Sequence, residues 1–215
     1  MPGFTVRLEA RLWAVAQEIR AGTYADIGAD HALLPRYLLQ TGRVRWAIAV
    51  EKSRGPWENA RRALQGLPAE VRLGDGLAPL APGEVEVLSL CGMGARRMVG
   101  ILSAHPERLP SRIVLQPNDA AEPLRRWAVA AGFGLVNEQM VEGFWRYTVL
   151  TLEKGPSPVY EGLPLALALR YGPILLRQKH PLLRAALEER LAYLCRLRPG
   201  HPELAWLERA LALLD

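Results

Sequence analysis

The stretch ADIGADHALLP, residues 25–35, lies between a short apolar run and a helical pattern, where a nucleotide-binding protein usually carries a glycine-rich loop. Here the loop has one glycine, Gly28, and two nearby carboxylates, Asp26 and Asp30. A pyrophosphate group needs several glycines and a helix N-terminus that is free of negative charge. The two carboxylates would repel a diphosphate, but they suit a ligand that carries an ammonium group and no phosphate.

Strand and helix patterns alternate around this loop. The predicted strands cover residues 23–28, 46–51, 70–76, 86–92 and 112–118. The predicted helices cover residues 7–19, 35–40, 57–66, 95–104 and 121–132. This alternation predicts an α/β fold with a parallel sheet, because consecutive parallel strands need a crossover connection that is usually a helix.

The rhythm changes after residue 132. Two strand-like runs, residues 135–142 and 146–153, follow each other across a short connection that contains Gly143, and this predicts an antiparallel hairpin. A mostly parallel, Rossmann-like sheet that ends in an antiparallel pair is the layout of class I methyltransferases. A dinucleotide dehydrogenase would instead continue with further parallel units. We therefore expect the class I methyltransferase fold.

The last quarter of the chain predicts a second, smaller unit. Residues 155–158, GPSP, are typical of a linker. Beyond them, residues 182–197 and 202–214 carry leucines at helical spacing. We expect a methyltransferase domain over residues 1–158 and a small C-terminal domain, residues 159–215, with these two helices.

Two more carboxylates close predicted strands. Glu51 and Asp75 follow Gly28 at nearly equal spacing along the chain. In an open α/β sheet, ligands bind where the strands finish. A carboxylate after the second strand can accept hydrogen bonds from both hydroxyls of a ribose, and one after the third can accept from adenine N6. Together with the acidic first loop, these residues predict S-adenosylmethionine as the cofactor.

The composition limits the other function classes. The formal net charge is +5, and most of the positive charge is arginine, which fits a polyanionic partner but also an arginine-rich solvated surface. No apolar run is long enough to span a membrane, and nothing resembles a signal peptide, so we expect a cytoplasmic protein. Cys91 and Cys195 stand far apart, with no Cys or His at ligand spacing beside them, so we expect neither a disulfide nor a metal site.

Several motifs also resemble those of one family. In chain order they are ADIGADHALLP, the GP of EKSRGPWENA, RLGDGL, CGMG, LQPN and LRYGPILLRQ. Their order and spacing resemble the bacterial tRNA adenine-22 N1-methyltransferase family over essentially the whole chain. The resemblance implies methyl transfer from S-adenosylmethionine to N1 of an adenine in the D-loop region of tRNA. It also implies that the helical domain helps to hold the tRNA.

The resemblance implies a set of cofactor-binding residues at the strand ends. They are Asp26, Gly28, His31, Glu51, Asp75, Gly76, Cys91, Gly92 and Met93. For His31, a hydrogen-bonding role in the loop fits better than that of a general base. The chain departs from the family pattern at Leu33, where a tyrosine is typical, at Ala95, where a glycine is typical, and at residues 142–148, EGFWRYT, where an acidic glycine turn is usual.

Two residues are candidates for the reaction itself. Methyl transfer is an in-line displacement at a sulfonium carbon, so the main task of the protein is to align the nucleophile with that carbon. Adenine N1 lies on the Watson–Crick edge, and the base must therefore be unpaired or flipped. Asp30 could favour the positive charge that develops on the base, and Asn118 could hydrogen-bond its amidine edge. The alternative for Asp30 is that it caps a helix or a turn, and the alternative for Asn118 is that it caps the helix that follows it.

The candidate tRNA contacts are cationic and aromatic residues in three places: Arg96 and Arg97 after the fourth strand, Trp145 in the hairpin turn, and Arg170, Arg177 and Lys179 beyond the linker. Core packing is the alternative for Trp145. The C-terminal helices could likewise serve only to cover the sheet.

Two other functions remain open at this point. One is a class I methyltransferase for a small molecule or a protein, because a fold does not fix its substrate. The other is an inactive nucleic-acid-binding module on the same fold, which the intact strand-end residues Asp26, Gly28, Glu51 and Asp75 argue against. We favour a monomer.

Overall fold

A computed structural model describes residues 6–215, and they form one seven-stranded sheet in the order β3-β2-β1-β4-β5-β7-β6. The strands are β1 (Ala21–Ile27), β2 (Val44–Glu51), β3 (Ala69–Leu73), β4 (Val87–Met93), β5 (Arg112–Pro117), β6 (Phe133–Glu142) and β7 (Arg146–Lys154). The first five strands are parallel, and β7 pairs antiparallel with both β5 and β6. The predicted class I methyltransferase fold is confirmed.

Helices accompany the sheet throughout the described part of the chain. They are α1 (Ala10–Gln17), α2 (Leu33–Gln40), α3 (Arg54–Leu64), α4 (Ala95–Ala104), α5 (Glu122–Ala130), α6 (Leu165–Tyr171), α7 (Pro173–Arg177), α8 (Pro181–Leu197) and α9 (Glu203–Leu214). The prediction for α4 has the correct bounds. The first helix is shorter at both ends than the predicted residues 7–19, since it begins at Ala10 and ends at Gln17.

The five parallel strands end at one side of the sheet, which we call the carboxyl edge. The β6–β7 hairpin turns at this same edge, because Arg146 pairs with Glu142 while Leu150 pairs with Leu115 near the end of β5. The strand order reverses between β1 and β4, and such a switch point opens a crevice at the carboxyl edge. The fold therefore brings the loops after β1, β2, β4 and β5 and the hairpin turn into one region.

Helix α1 crosses one face of the sheet. Val15 and Ala16 lie on its apolar face and are fully buried. At the N-terminal end of the helix, Arg11 Nη1 donates a hydrogen bond of 2.6 Å to Gln116 Oε1, next to the last residue of β5. Near the other end, the backbone carbonyl of Glu18 accepts a hydrogen bond from the side chain of Arg112, the first residue of β5. The entry helix thus places Arg11 at the carboxyl edge.

The C-terminal part contains more helices than predicted. The sequence predicted two helices beyond the linker, but α6 and α7 precede them, so that prediction was wrong in number. The two missed helices are short, and Pro164, Gly172 and Pro173 interrupt their apolar pattern. Segments of five and seven residues give too few turns for a helical period to be distinguished from a buried loop.

A buried ion pair joins these helices to the sheet. Arg125 Nε on α5 lies 2.7 Å from Glu138 Oε1 on β6, and both side chains are almost completely buried. Arg125 also donates hydrogen bonds of 2.9 and 3.1 Å to the carbonyls of Leu169 and Arg170. At Gly172 the backbone has a φ of 101°, and a Cβ there would collide with the Glu138 carboxylate. The C-terminal helices therefore pack directly against β6 and α5.

Candidate active site

The loop after β1 has a strained backbone. Gly28, Asp30 and Ala32 have φ angles of 76°, 48° and 50°, in the left-handed region that residues with a side chain rarely adopt. The buried carboxylate of Glu51 accepts a hydrogen bond from the backbone amide of Asp30 and so supports this shape. Burial raises the pKa of Glu51, and the hydrogen bond from Asp30 opposes that rise. The end of β2 is thereby tied to the loop after β1.

Asp26 is the most buried carboxylate of this region, with 4 % of its surface exposed. Ser89 Oγ donates a hydrogen bond of 2.5 Å to Asp26 Oδ1, and the Tyr24 hydroxyl lies 2.6 Å from Ser89 Oγ. Burial raises the pKa of Asp26 to about 6, although both hydroxyls oppose the rise. A cation beside this carboxylate would lower its pKa again.

The ends of β4 and β5 are linked by hydrogen bonds. Asn118 Nδ2 donates to the carbonyl of Gly92 over 2.7 Å, and the backbone amide of Asn118 donates to the carbonyl of Met93 over 3.0 Å. Asp119 Oδ1 accepts a hydrogen bond of 2.7 Å from the amide of Ala95, at the first turn of α4. The Asn118 carboxamide is thus held by its nitrogen; its oxygen accepts one long hydrogen bond, of 3.5 Å, from Gln116 Nε2, which leaves a second lone pair for a ligand.

A cavity of about 350 Å³ opens between these elements. It is lined by Glu9, Arg11, Leu12, Asp26, Gly28, Ala29, Asp30, His31, Leu33, Leu34, Cys91 and Gly92. The sequence did not point to Arg11, because nothing in an amphipathic helix pattern shows which end of the helix meets the carboxyl edge. Arg11 is the cation of this otherwise acidic wall, and its guanidinium lies 5.6 Å from the centre of the Tyr147 ring.

A second cavity, of about 520 Å³, adjoins the loop after β3. Asp75 and Gly76 line it together with Lys52 and Arg97. Asp75 Oδ2 lies 2.7 Å from Lys52 Nζ, and both side chains are exposed. Gly76 has a φ of 56°, and a Cβ there would lie 3.1 Å from Ile101 Cγ2. Glycine lets the backbone turn closely against α4 at this point.

The structure brings the predicted cofactor residues to the carboxyl edge. Asp26, Gly28, His31, Cys91 and Gly92 line the first cavity, and Asp75 and Gly76 line the second. Glu51 and Met93 are the last residues of β2 and β4. Burial raises the pKa of the Cys91 thiol well above its usual value, so this cysteine is a neutral wall residue. The roles of these residues remain predictions.

Neither candidate catalytic residue caps a helix. The residue before α2 is Ala32 and the residue before α5 is Ala121, and no side chain caps either helix. Asp30 instead presents an exposed carboxylate whose Oδ2 lies 3.5 Å from His31 Nε2. Asn118 bonds across to Gly92. The helix-capping alternative is therefore wrong for both residues, and their part in catalysis stays a prediction.

The hairpin turn, residues 143–145, projects two aromatic rings into solvent. Phe144 and Trp145 are 88 % and 67 % exposed, and their ring centres are 5.2 Å apart in an edge-to-face arrangement. Core packing is therefore excluded for Trp145. The next residue, Arg146, forms two hydrogen bonds of 2.6 Å with Glu189 on α8. The turn is thus anchored on α8 and adjoins Tyr147, which contacts Arg11 in the first cavity.

The predicted basic contacts have different surroundings. Arg96 and Arg97 are exposed in the first turn of α4, and neither forms an ion pair within residues 6–215. The Arg170 guanidinium lies 3.6 Å from Glu203 and stacks over Trp206.

Arg177 and Lys179 are already engaged within the chain. Arg177 donates hydrogen bonds to the carbonyls of Val159 and Glu161, and Lys179 donates to a backbone oxygen of Asp215. Both lie before the first turn of α8, whereas Arg146 meets that helix two turns later at Glu189. They are therefore remote from the hairpin turn along α8.

Two further properties concern ions and membranes. Across residues 6–215, no three His, Cys, Asp or Glu side chains come together in a group that could hold a metal ion. Over the same residues, no helix is both long and apolar enough to cross a membrane.

Comparisons with known proteins agree with this geometry. The family model described as tRNA (adenine(22)-N(1))-methyltransferase, TrmK, matches residues 24–203. The Bacillus subtilis protein of that name is 35 % identical over 184 residues, which cover 81 % of this chain and 77 % of the relative. The crystal structure of the B. subtilis enzyme superposes with a TM-score of 0.86 at 31 % identity, over 97 % of each chain.

A putative tRNA (m1A22) methyltransferase of Streptococcus pneumoniae, solved in complex with S-adenosyl-L-methionine, superposes with a TM-score of 0.87 at 29 % identity. The superposition covers 97 % of this chain and 100 % of that one. The predicted resemblance is confirmed, and this chain belongs to the tRNA (adenine(22)-N(1))-methyltransferase family.

Proposed function

We propose that this protein transfers a methyl group from S-adenosylmethionine to N1 of adenine 22 in tRNA. Family membership supports the reaction and its substrate. One observation on the structure carries the proposal: three strand-end acids, Asp26, Glu51 and Asp75, lie along the carboxyl edge beside the locked carboxamide of Asn118. This set can hold an adenosine with an amino-acid group on one side and an adenine base on the other.

The residues of the two cavities fit the cofactor. Asp75 would accept from adenine N6 once it exchanges its contact with Lys52, and Glu51, at the end of β2, would accept the ribose hydroxyls. Asp26 and Asp30 supply negative charge for an ammonium group. A single glycine, Gly28, with carboxylates on both sides leaves no cradle for a diphosphate.

His31, Gly76, Cys91, Gly92 and Met93 would complete the walls around the same ligand. Gly76 and Gly92 have φ angles of 56° and 72°, and they let the backbone turn closely at the ends of β3 and β4. Within the first cavity, His31 adds a hydrogen-bonding ring beside Asp30.

Arg11 extends the predicted cofactor set. It lines the same cavity as Asp26 and Asp30 and carries the opposite charge. A carboxylate and an ammonium group on one amino acid need a cation and an anion at opposite sides of one pocket. We infer that Arg11 pairs with the carboxylate of the methionine part. Gln116 holds Nη1 of Arg11, and Nη2 would exchange its present ion pair with Glu9 for the ligand.

When bound, S-adenosylmethionine supplies an electrophilic methyl group on a sulfonium. The chain's own residues would orient the base for it. Asn118 Oδ1 would accept a hydrogen bond from adenine N6, because its Nδ2 is already committed to Gly92. N1 then faces the methyl group with its lone pair free. Asp30 would stabilise the positive charge that appears on the base and accept the proton that N6 later loses.

Exposed cations and the hairpin turn are the proposed tRNA contacts. Arg96 and Arg97 lie next to the second cavity and form no ion pair with another residue of 6–215, which suits phosphate contacts. Trp145, together with Phe144, offers a ring face for an unpaired base. Arg170 offers a partly exposed guanidinium. Arg177 and Lys179 are expected to contribute least, since each is already bound within the chain.

The division of labour along the chain is part of the proposal. Residues 1–158 would carry cofactor binding and chemistry, and residues 159–215 would form a helical domain that recognises tRNA. The Arg146–Glu189 pair supports this, because it places α8 beside the hairpin turn. We further propose that the protein acts in the cytoplasm, where tRNA is modified, and as a monomer.

The test is to map the methylated position on unmodified tRNA transcripts. A methyl group on N1 blocks Watson–Crick pairing, so reverse transcription should stop at position 22, and a transcript with another base at that position should remain unmethylated. Methylation at a different base would contradict the position. An absence of methylation of any tRNA, with transfer to a protein or a small molecule instead, would overturn the function.

A further inference from the structure

A buried polar track runs along the seam between β1 and β4. Tyr24 and Asp26 are two residues apart on β1 and therefore point to the same face of the sheet. Ser89 on β4 pairs directly with Asp26 in the strand register. Tyr24 and Ser89 have no exposed surface, whereas Asp26 reaches the first cavity. The track thus leads from the core to the cavity, at the point where the strand order reverses.

The hydrogen bonds of this track all favour a charged Asp26. Ser89 Oγ donates to Asp26 Oδ1 and can in turn accept from the Tyr24 hydroxyl. Burial raises the pKa of Tyr24 well above its usual value, so this hydroxyl stays a neutral donor. Two donors in series stabilise an ionised carboxylate. Phenylalanine and alanine would fill the same space without the cost of burying two hydroxyls.

We propose that Tyr24 and Ser89 are positioning residues that keep Asp26 ionised and turn its second oxygen toward the cavity, where it binds the ammonium group of the cofactor. This inference rests on the proposed function, because it assigns a partner to the amino-acid part of S-adenosylmethionine. The established family assignment says nothing about these two hydroxyls.

The charges around Asp26 are consistent with this role. The titratable and charged side chains that share its surroundings are Tyr24 on its own strand, Cys91 on β4, Glu51 on β2, Arg11 and Glu9 at the start of α1, and Asp30 and His31 in the next loop. Acids outnumber cations in this set. An incoming ammonium group therefore meets net negative charge, and its arrival lowers the pKa of Asp26 from the value near 6 that burial gives it.

Calorimetric binding of S-adenosylhomocysteine between about pH 5.5 and pH 8 tests the proposal, since this ligand keeps the ammonium group and needs no tRNA. Removing a hydroxyl that lowers the pKa of Asp26 raises that pKa, so binding weakens at low pH and recovers at high pH. For Ser89→Ala we expect about tenfold weaker binding near pH 6 and near-parental binding at pH 8. Tyr24→Phe should shift the profile in the same direction by a smaller amount.

Two controls distinguish a positioning role of the Tyr24 and Ser89 hydroxyls from a general effect on core packing. Tyr160→Phe removes another buried tyrosine hydroxyl, one that has no hydrogen-bond partner within residues 6–215, and it should leave the pH profile unchanged. The ligand 5′-methylthioadenosine lacks the ammonium group, and its affinity should show no such pH dependence in any variant. If Ser89→Ala does not fold, Tyr24→Phe carries the same test.

The outcomes are distinct. A pH-dependent loss in Ser89→Ala or Tyr24→Phe, absent for 5′-methylthioadenosine, supports the proposal. A loss that is equal at all pH values, or a profile identical to that of Tyr160→Phe, overturns it and leaves the proposed function intact. Failure of the parent protein to bind S-adenosylhomocysteine at any pH would overturn the cofactor assignment and, with it, the role of the two hydroxyls.

Discussion

The two sides of the carboxyl edge are built in different ways. On the acidic side, at the ends of β1 and β2, Asp26 and Glu51 are buried and already hydrogen-bonded. On the other side, Phe144 and Trp145 are among the most exposed apolar residues of the described chain. The difference fits the proposed roles, in which the cofactor would enter a pocket that is already formed and the exposed side would become buried only when tRNA binds.

This contrast has a physical reason. A small ligand with fixed charges gains affinity from groups that need no rearrangement, because the cost of orienting them has been met during folding. A large flexible polyanion instead gains from exposed cations and aromatic faces that tolerate several approaches. Changes on the acidic side should therefore affect cofactor affinity or rate, and changes on the exposed side should affect tRNA affinity.

The largest effect is expected on stability, from Glu138→Gln. Glu138 belongs to the buried ion pair that joins the C-terminal helices to the sheet. The substitution leaves the Arg125 guanidinium buried without its carboxylate, so the free energy of unfolding should fall by about 3–5 kcal/mol in urea denaturation. Glu189→Gln is the matched control, because it removes only the exposed partner of Arg146 and should leave the free energy of unfolding nearly unchanged. Equal losses in both variants would show that the buried pair is not the main anchor of the C-terminal helices.

Asn118→Ala should separate an effect on the methylation rate from an effect on cofactor affinity. We expect single-turnover methylation of tRNA to slow by roughly 30-fold, about 2 kcal/mol, because the acceptor for adenine N6 is lost. Affinity for S-adenosylhomocysteine should stay close to that of the parent. The interpretation fails if cofactor affinity falls in parallel with the rate, since Asn118 would then serve the cofactor loop rather than the base.

Arg11→Gln tests whether Arg11, on α1, belongs to the cofactor pocket on the acidic side of the carboxyl edge. Loss of the charge should weaken S-adenosylhomocysteine by roughly 10- to 100-fold, because a charge-assisted contact to the carboxylate disappears. Binding of 5′-methylthioadenosine, which has no carboxylate, should be unaffected. Arg7→Ala is the control, because Arg7 precedes α1 and is exposed, whereas Arg11 is partly buried. Equal weakening of both ligands would mean that Arg11 supports the fold of the pocket.

Trp145→Ala tests the exposed side. One lost stacking contact should weaken tRNA binding by about 1–2 kcal/mol, roughly 5- to 30-fold, without changing cofactor affinity. Trp46→Ala is the matched control, because Trp46 is 41 % exposed near the start of β2, away from the carboxyl edge. Indistinguishable tRNA affinities for the two variants would remove the hairpin turn from the RNA surface.

The smallest effect concerns the arginines of α4. Replacing Arg96 and Arg97 by alanine should weaken tRNA binding several-fold at low salt. The slope of log affinity against log salt should become shallower by about 1–2, the value expected for one or two lost phosphate contacts. Trp145→Ala should leave that slope unchanged, because stacking releases no counterions. An unaltered slope in the double arginine variant would place the phosphates elsewhere.

The sequence predicted the parallel strands well because their signals are local. The run that became β4 ends in Cys91, Gly92 and Met93, and the glycine loop that follows β1 marks the switch point. Strand-end acids such as Glu51 could be found for the same reason, since the position of a residue at the end of a strand is readable along the chain. Charge and hydrogen-bonding chemistry then predicted the cofactor.

The features that the sequence did not predict depend on contacts between segments that are distant along the chain. Arg11 meets Gln116 across 105 positions, and Tyr24 meets Ser89 across 65. No local pattern encodes these pairs, because a tyrosine in a strand or an arginine in a helix is ordinary in isolation. The short helices α6 and α7 were missed for a related reason: Glu138 and Arg125, which hold them, lie far away in the sequence.

Gly172 constrains how the helical part of this chain could be exchanged with that of a relative. Its φ of 101° and the Glu138 carboxylate beside it exclude any side chain at this position. Glu138 and Gly172 lie on opposite sides of residues 155–158, where the sequence alone favours a junction between homologues. A chimaera joined there should keep this packing only when a parent with Glu138 supplies the sheet and the other parent supplies a glycine at position 172, so the linker is not a neutral crossover point.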